Sequence, residues 1–71
     1  MEIIEVCLSS ESITLGQLLK YAGIVETGGQ AKDLIQSERI WVNGIETDKR
    51  GQKIFAGDDV TIGDSIVLKV K

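Results

Sequence analysis

A chain of 71 residues has room for one domain and none for a two-lobed enzyme with a cleft between its lobes. Its 42% hydrophobic and 27% charged residues suit a folded domain, but with one Trp, one Tyr and one Phe the core must be aliphatic. Eight Lys and Arg against eleven Asp and Glu give a net charge of −3, which taken alone argues against nucleic-acid binding by bulk charge.

In chain order, Glu2 to Leu8 reads as a strand, with Ile4, Val6 and Leu8 on one face and Ile3, Glu5 and Cys7 on the other. Cys7 is expected to be a small, half-buried packing residue, since no neighbouring cation in sequence would make its thiol reactive. Ser9 to Ser12 form a polar break. Two helix starts then share one grammar. Thr14 and Gln17 form a capping box, in which a threonine oxygen accepts from the amide three residues on and a glutamine reaches back; Thr27 and Gln30 repeat it. Behind the first box, Leu15, Leu18, Leu19 and Ala22 make an apolar stripe, closed by Gly23 with Ile24 supplying the accompanying hydrophobic contact. Behind the second, Ala31, Leu34 and Ile35 make another, running to about Glu38.

The remainder reads as strand. Ile40-Trp41-Val42 and Ile45-Glu46-Thr47 flank Asn43-Gly44, the strongest short hairpin signal, because both turn residues must take positive φ. Asp48 to Lys53 is polar and basic, Ile54 and Phe55 are apolar, and Ala56 to Asp59 is a turn. Val60 to Ile62 is a short strand, Gly63-Asp64 turns again, and Ile66, Leu68 and Val70 line one face of a last strand. That strand and the first are natural neighbours at one edge of a sheet. The fold class is α+β: a strand, a helix-turn-helix pair, then a small mostly antiparallel sheet, all in a single domain over residues 1–71.

The chemistry is bounded by absences. With no His there is no His-based general base and no His metal ligand, and one Cys makes neither an internal disulfide nor a Cys-only zinc site. Asp58-Asp59 reads as a solvated turn rather than a metal site, so no catalytic residue, metal or cofactor is expected. No apolar run approaches a membrane span, and Glu2 and Glu5 stand where a signal peptide carries cations; a cytoplasmic protein is expected. The cations are uneven. Residues 1–19 contain no Lys or Arg, whereas Arg39, Lys49, Arg50 and Lys53 face only Glu46 and Asp48 between positions 39 and 53, and Lys32, on the first turns of the second helix, could join that face. Gly28-Gly29 at a helix start leaves amides uncovered for an anion, or is simply a tight turn. Trp41, sent outward by alternation, stacks on an unpaired base beside Arg39 and Arg50, or covers the edge of the core.

The order of the pieces resembles the RNA-binding domain named after ribosomal protein S4, also called the alpha-L motif. Leu15 to Gly23 is similar to its first helix and Ala31 to Ile35 to its second. Arg39 to Gly44 is similar to its hallmark strand and turn, and Ala56 to Val60 to its closing Pro-Gly-Asp segment. The likeness spans about residues 13–62, with terminal strands outside it. The Thr27-Gly28-Gly29 turn and the loop from Asp48 to Lys53 look most like the small stand-alone bacterial members with ribosome-associated roles. The resemblance implies binding of structured RNA, ribosomal RNA first, through Lys20, Thr27, Gly28, Gly29, Lys32, Asn43, Gly44, Lys49, Arg50 and Lys53, with Trp41 stacking or packing. The glycines and Asn43-Gly44 are expected to act mainly through backbone shape. Partners would be RNA and a ribosomal subunit or its assembly factors, with no membrane; the oligomeric state stays open. The chain departs from the family in having Thr14 where an Arg is usual, Gly28 where Arg or another polar residue is usual, and Ala56 in place of Pro. The first two departures remove contacts to phosphate. Two readings stand beside this one: a protein-interaction module with no RNA ligand, and a ubiquitin-like sulfur carrier, which lacks its Gly-Gly end because the chain finishes Leu68-Lys69-Val70-Lys71.

Overall fold

A computed structural model describes residues 2–71. Seven strands and two helices follow in the order β1 (Glu2–Val6), β2 (Ser12–Thr14), α1 (Leu15–Tyr21), α2 (Gly28–Ser37), β3 (Ile40–Val42), β4 (Ile45–Thr47), β5 (Lys53–Phe55), β6 (Asp59–Ile62) and β7 (Ile66–Val70). Five of the strands form one sheet in the order β1-β7-β6-β3-β4. The β1–β7 pair is parallel, with Ile4 opposite Leu68, and the other pairs are antiparallel. The mostly antiparallel α+β fold and the neighbouring terminal strands are therefore as the sequence predicts.

Both helix starts are capped as expected. Thr14 Oγ1 accepts from the Gln17 amide at 3.3 Å, and Thr27 Oγ1 from the Gln30 amide at 3.2 Å. The reciprocal half differs, for Gln30 Oε1 accepts from the amide of Glu26, at 2.7 Å, and not from that of Thr27. Helix α1 ends in a Schellman motif. Gly23, at φ 77°, donates to the Lys20 carbonyl, and Ile24 donates to that of Leu19, which turns the chain sharply into α2.

The core is a single aliphatic cluster. One face of the five-stranded sheet contributes Val6, Ile40, Val42, Val60, Ile62, Leu68 and Val70; the helices contribute Leu15, Leu18, Leu19, Ala31 and Ile35. Period-two and helical spacing thus put the same side of each element inward. The hairpin tip is fixed from outside. Asn43 takes φ 53°, its Nδ2 donates to Asp58 Oδ1 at 3.0 Å, and its Oδ1 accepts from the Asp59 amide at 2.9 Å. Asn43→Ala loses both bonds and puts an alanine in the left-handed region. It should cost about 1–3 kcal/mol in urea unfolding, with Asn43→Gly milder because it keeps the backbone preference.

Three expectations need correction. The first strand stops at Val6, and Cys7 is exposed, because alternation turns it to the open side of the sheet. The polar break gives way to β2 at Ser12, which pairs with β5: Ser12 opposite Phe55, Ile13 opposite Ile54, Thr14 opposite Lys53. This second, two-stranded ribbon inserts Ile54 into the core. Trp41 lies opposite Glu46 and Thr61 on the outer face of the main sheet, half-buried, so it is not beside Arg50, which packs against the start of α1.

Candidate nucleic-acid interface

The loop after β4 is docked on the first turn of α1. The Leu15 amide donates to the Gln52 carbonyl at 2.8 Å and the Gly16 amide to the Arg50 carbonyl at 3.0 Å. With Gln17 bonded to Thr14, the first turn of α1 has no bare amide left for an anion. The docking depends on glycine. A Cβ at Gly16 would lie 2.5 Å from Arg50 Cγ, so glycine there lets the arginine lie across the helix start. Helix α2 differs. The Gly28 and Gly29 amides have no partner among the described residues, and nothing lies within 4 Å of where a Gly28 Cβ would stand. These amides sit at the positive end of a ten-residue helix.

The charges sort by face. Three ion pairs lie on the outer face of the main sheet: Arg39 with Glu46 at 3.8 Å, Lys69 with Asp59 at 3.7 Å, and Lys71 with Glu5 at 2.9 Å. The hydrogen bond to Glu5, and then its charge, raise the Lys71 ammonium above the ordinary 10.5. The pair's small stabilisation is therefore present at neutral pH and is lost as pH rises through that raised value. The other five cations, Lys20, Lys32, Lys49, Arg50 and Lys53, have no ion-pair partner among the described residues. All five sit on the helix pair, the docked loop and β5.

These five line adjoining clefts. Lys20, Gly28 and Arg50 share one of about 220 Å³ with Thr14, Gly16, Gln17 and Gly51. Arg50 also closes a second, of about 220 Å³, with Lys32, Gln36 and Asp48. Asp48 borders a third, of about 510 Å³, which holds Lys49, Lys53 and Asn43. Arg50 and Asp48 thus join the three into one band. A cleft of about 580 Å³ between the end of α2 and β4 is lined by Glu38, Glu46 and Asp48 against Arg39, whose charge Glu46 already meets, so it does not favour an anion.

Of the residues singled out by sequence, Lys20, Gly28, Lys32, Asn43, Lys49, Arg50 and Lys53 come together in this band. Thr27 and Gly29 adjoin it at the start of α2, where the Thr27 hydroxyl oxygen serves as the cap. Gly44 is at the hairpin tip, and Trp41 is on the opposite, neutralised face. The same clefts also hold Gly16, Gly51, Ile45 and Phe55, which the sequence does not single out. The contact of Gly16 with Arg50 leaves no local trace, whereas Lys53-Ile54-Phe55 as a strand with Ile54 inward would have sent Phe55 out beside Lys53.

Among the described residues no helix is long and apolar enough to cross a membrane, and no group of His, Cys, Asp or Glu could hold a metal ion. A capped helix pair, a loop pinned to the first helix and a hairpin behind it are arranged as the resemblance to the S4 domain implies. The chain belongs to that family, whose model matches residues 6–71. It is 39% identical, over 57 residues covering 80% of each chain, to the Bacillus subtilis (strain 168) protein named "Probable ribosome maturation protein RlbA".

Proposed function

We propose that this protein is a non-catalytic, cytoplasmic module that binds structured RNA, ribosomal RNA first, in a ribosome-associated role such as subunit maturation. The observation that carries the reading is the segregation of charge: five unpaired cations line one band while three others are neutralised on the far face. Membership of the S4 domain family and the name of the Bacillus relative support it. Lys32 and Lys53 meet phosphates as point charges and Arg50 as a fork; the bare amides of Gly28 and Gly29 add donors where no side chain keeps a phosphate away. The net charge of −3 limits non-specific attraction, so binding depends on fitting the band.

The test is filter binding of ribosomal RNA fragments across a salt series, with co-sedimentation on ribosomal subunits. Neutralising roughly four phosphates predicts an affinity that falls about a hundredfold from low to near-physiological salt. High salt should release the protein from the subunit. Binding insensitive to salt would overturn the reading. Capture of a protein partner after nuclease treatment, with no RNA shift, would favour the protein-interaction alternative, whose surface would be the outer sheet face around Ile3 and Trp41.

A further inference from the structure

The chain has three aromatic side chains, and only one lies free among the unpaired lysines. Trp41 is on the neutralised outer face. Tyr21 lines a cleft whose one cation is Lys20, and its hydroxyl donates to the Cys7 carbonyl at 2.9 Å, which ties it to the end of β1. Phe55 has no polar atom, is 44% exposed, and lines the groove that holds Lys49 and Lys53. Ile45, at 73% exposure, lines the same groove. Two large apolar side chains exposed on one groove give it a small apolar wall among charged groups.

The polar rim indicates which occupant. Of the carboxylates on the groove, Glu46 is held by Arg39, and Asp58 accepts from Asn43 Nδ2 and from the Phe55 amide. Asp48 remains against two free lysines. An apolar ring flanked by cations matches a base and its phosphates, since every base has a face that stacks and a charge on either side. The groove is also continuous with the Arg50 band through Asp48. The ring is presented on a fixed backbone. The Phe55 amide donates to Asp58 Oδ2 at 2.8 Å, the Phe55 carbonyl accepts from the Asp58 amide at 3.1 Å, and Ile54 is buried on the other side of the strand.

We infer that Phe55 and Ile45 form a slot for one unpaired base of the bound RNA, with Lys49 and Lys53 meeting the phosphates on either side. The slot rests on the RNA-binding reading and adds a preference to it: the band alone recognises a backbone, whereas the slot requires a base that is out of its helix. A hairpin with an unpaired loop and a blunt duplex of the same stem are the two probes, measured by filter binding at one low salt concentration. Phe55→Ala should weaken looped RNA about tenfold, in line with the loss of one stacked base, and change duplex binding less than about twofold. Phe55→Trp in a Trp41→Phe background should bind the looped RNA at least as well as wild type, with its indole emission quenched by that RNA and not by the duplex. That quenching decides the matter even where Phe55→Ala proves poorly folded by circular dichroism. Equal losses on both RNAs, or emission indifferent to the loop, would overturn the slot. If Lys32→Ala with Arg50→Ala still weakened both RNAs in that case, the RNA-binding reading would stand without it. Failure of the wild type to bind either RNA would overturn both.

Discussion

Ile54→Ala should lower the thermal midpoint by at least about 10 °C. Ile54 is fully buried, yet it sits in a three-residue strand with only Ile13 opposite it in the ribbon. Truncating a buried isoleucine to alanine costs about 2–5 kcal/mol once the cavity is included. A chain of 71 residues has a total stability of only about 4–10 kcal/mol at typical values per residue. Each kcal/mol moves the midpoint of a domain this size by about 4–8 °C. No disulfide is available to hold what remains, because the chain has one cysteine. The loss reaches the interface as well. Ile54 anchors β5, β5 positions Lys53, and the carbonyls of Arg50 and Gln52 just before it hold the start of α1. Ile54→Val, which removes one methyl, should cost about 1 kcal/mol and keep the domain folded. The check is circular dichroism on heating; a shift under about 4 °C for Ile54→Ala would mean that the ribbon packs on the core without contributing to it.

The parts of this fold that sequence reveals are those whose cause is local. Thr14 and Thr27 cap their helices because the acceptor and the amide are three residues apart. Gly23 and Asn43 are legible because few residues take positive φ cheaply, and both do so. Alternation over Ile66 to Val70 is long enough to assign Leu68 and Val70 to the core. The β2–β5 ribbon escapes because strands of three residues have too little length to show a period, and their partners are some forty positions apart. The cations were legible as a cluster but not as a face. Arg39 counts with Lys49, Arg50 and Lys53 along the chain, yet the sheet turns it to the far side and pairs it with Glu46. Trp41 follows the same rule. Alternation correctly sends it out of the core, but which outward surface it joins is decided by β6, which pairs with β3 from a distant point in the chain. Phe55 is placed by the pairing of β5 with β2, which the local sequence does not encode.

Two triple variants with identical net charge should differ by two or more orders of magnitude in RNA affinity. Lys32→Ala, Arg50→Ala and Lys53→Ala remove three unpaired cations from the band. Arg39→Ala, Lys69→Ala and Lys71→Ala remove three that are already ion-paired on the outer face. Each set lowers the net charge by three from −3. Were attraction set by total charge, the two would weaken RNA equally. If it is set by local contact, the first set loses about three phosphate contacts and its salt slope shrinks by about 2–3, while the second keeps the wild-type slope. The first should then bind about a hundredfold or more weakly near 0.1 M salt, and the second within about threefold of wild type. Stability moves the other way. The outer set breaks three surface pairs worth about 0–1 kcal/mol each, whereas the band set breaks none and relieves repulsion among neighbouring cations. The band variant, whose main structural loss is the packing of the Arg50 stem on α1, should therefore still unfold cooperatively near the wild-type temperature while failing to bind, a combination that misfolding cannot produce. Equal losses in the two variants would mean that RNA responds to the overall field of the protein; the band between the helix pair and β5 would then be a surface feature without a role in recognition.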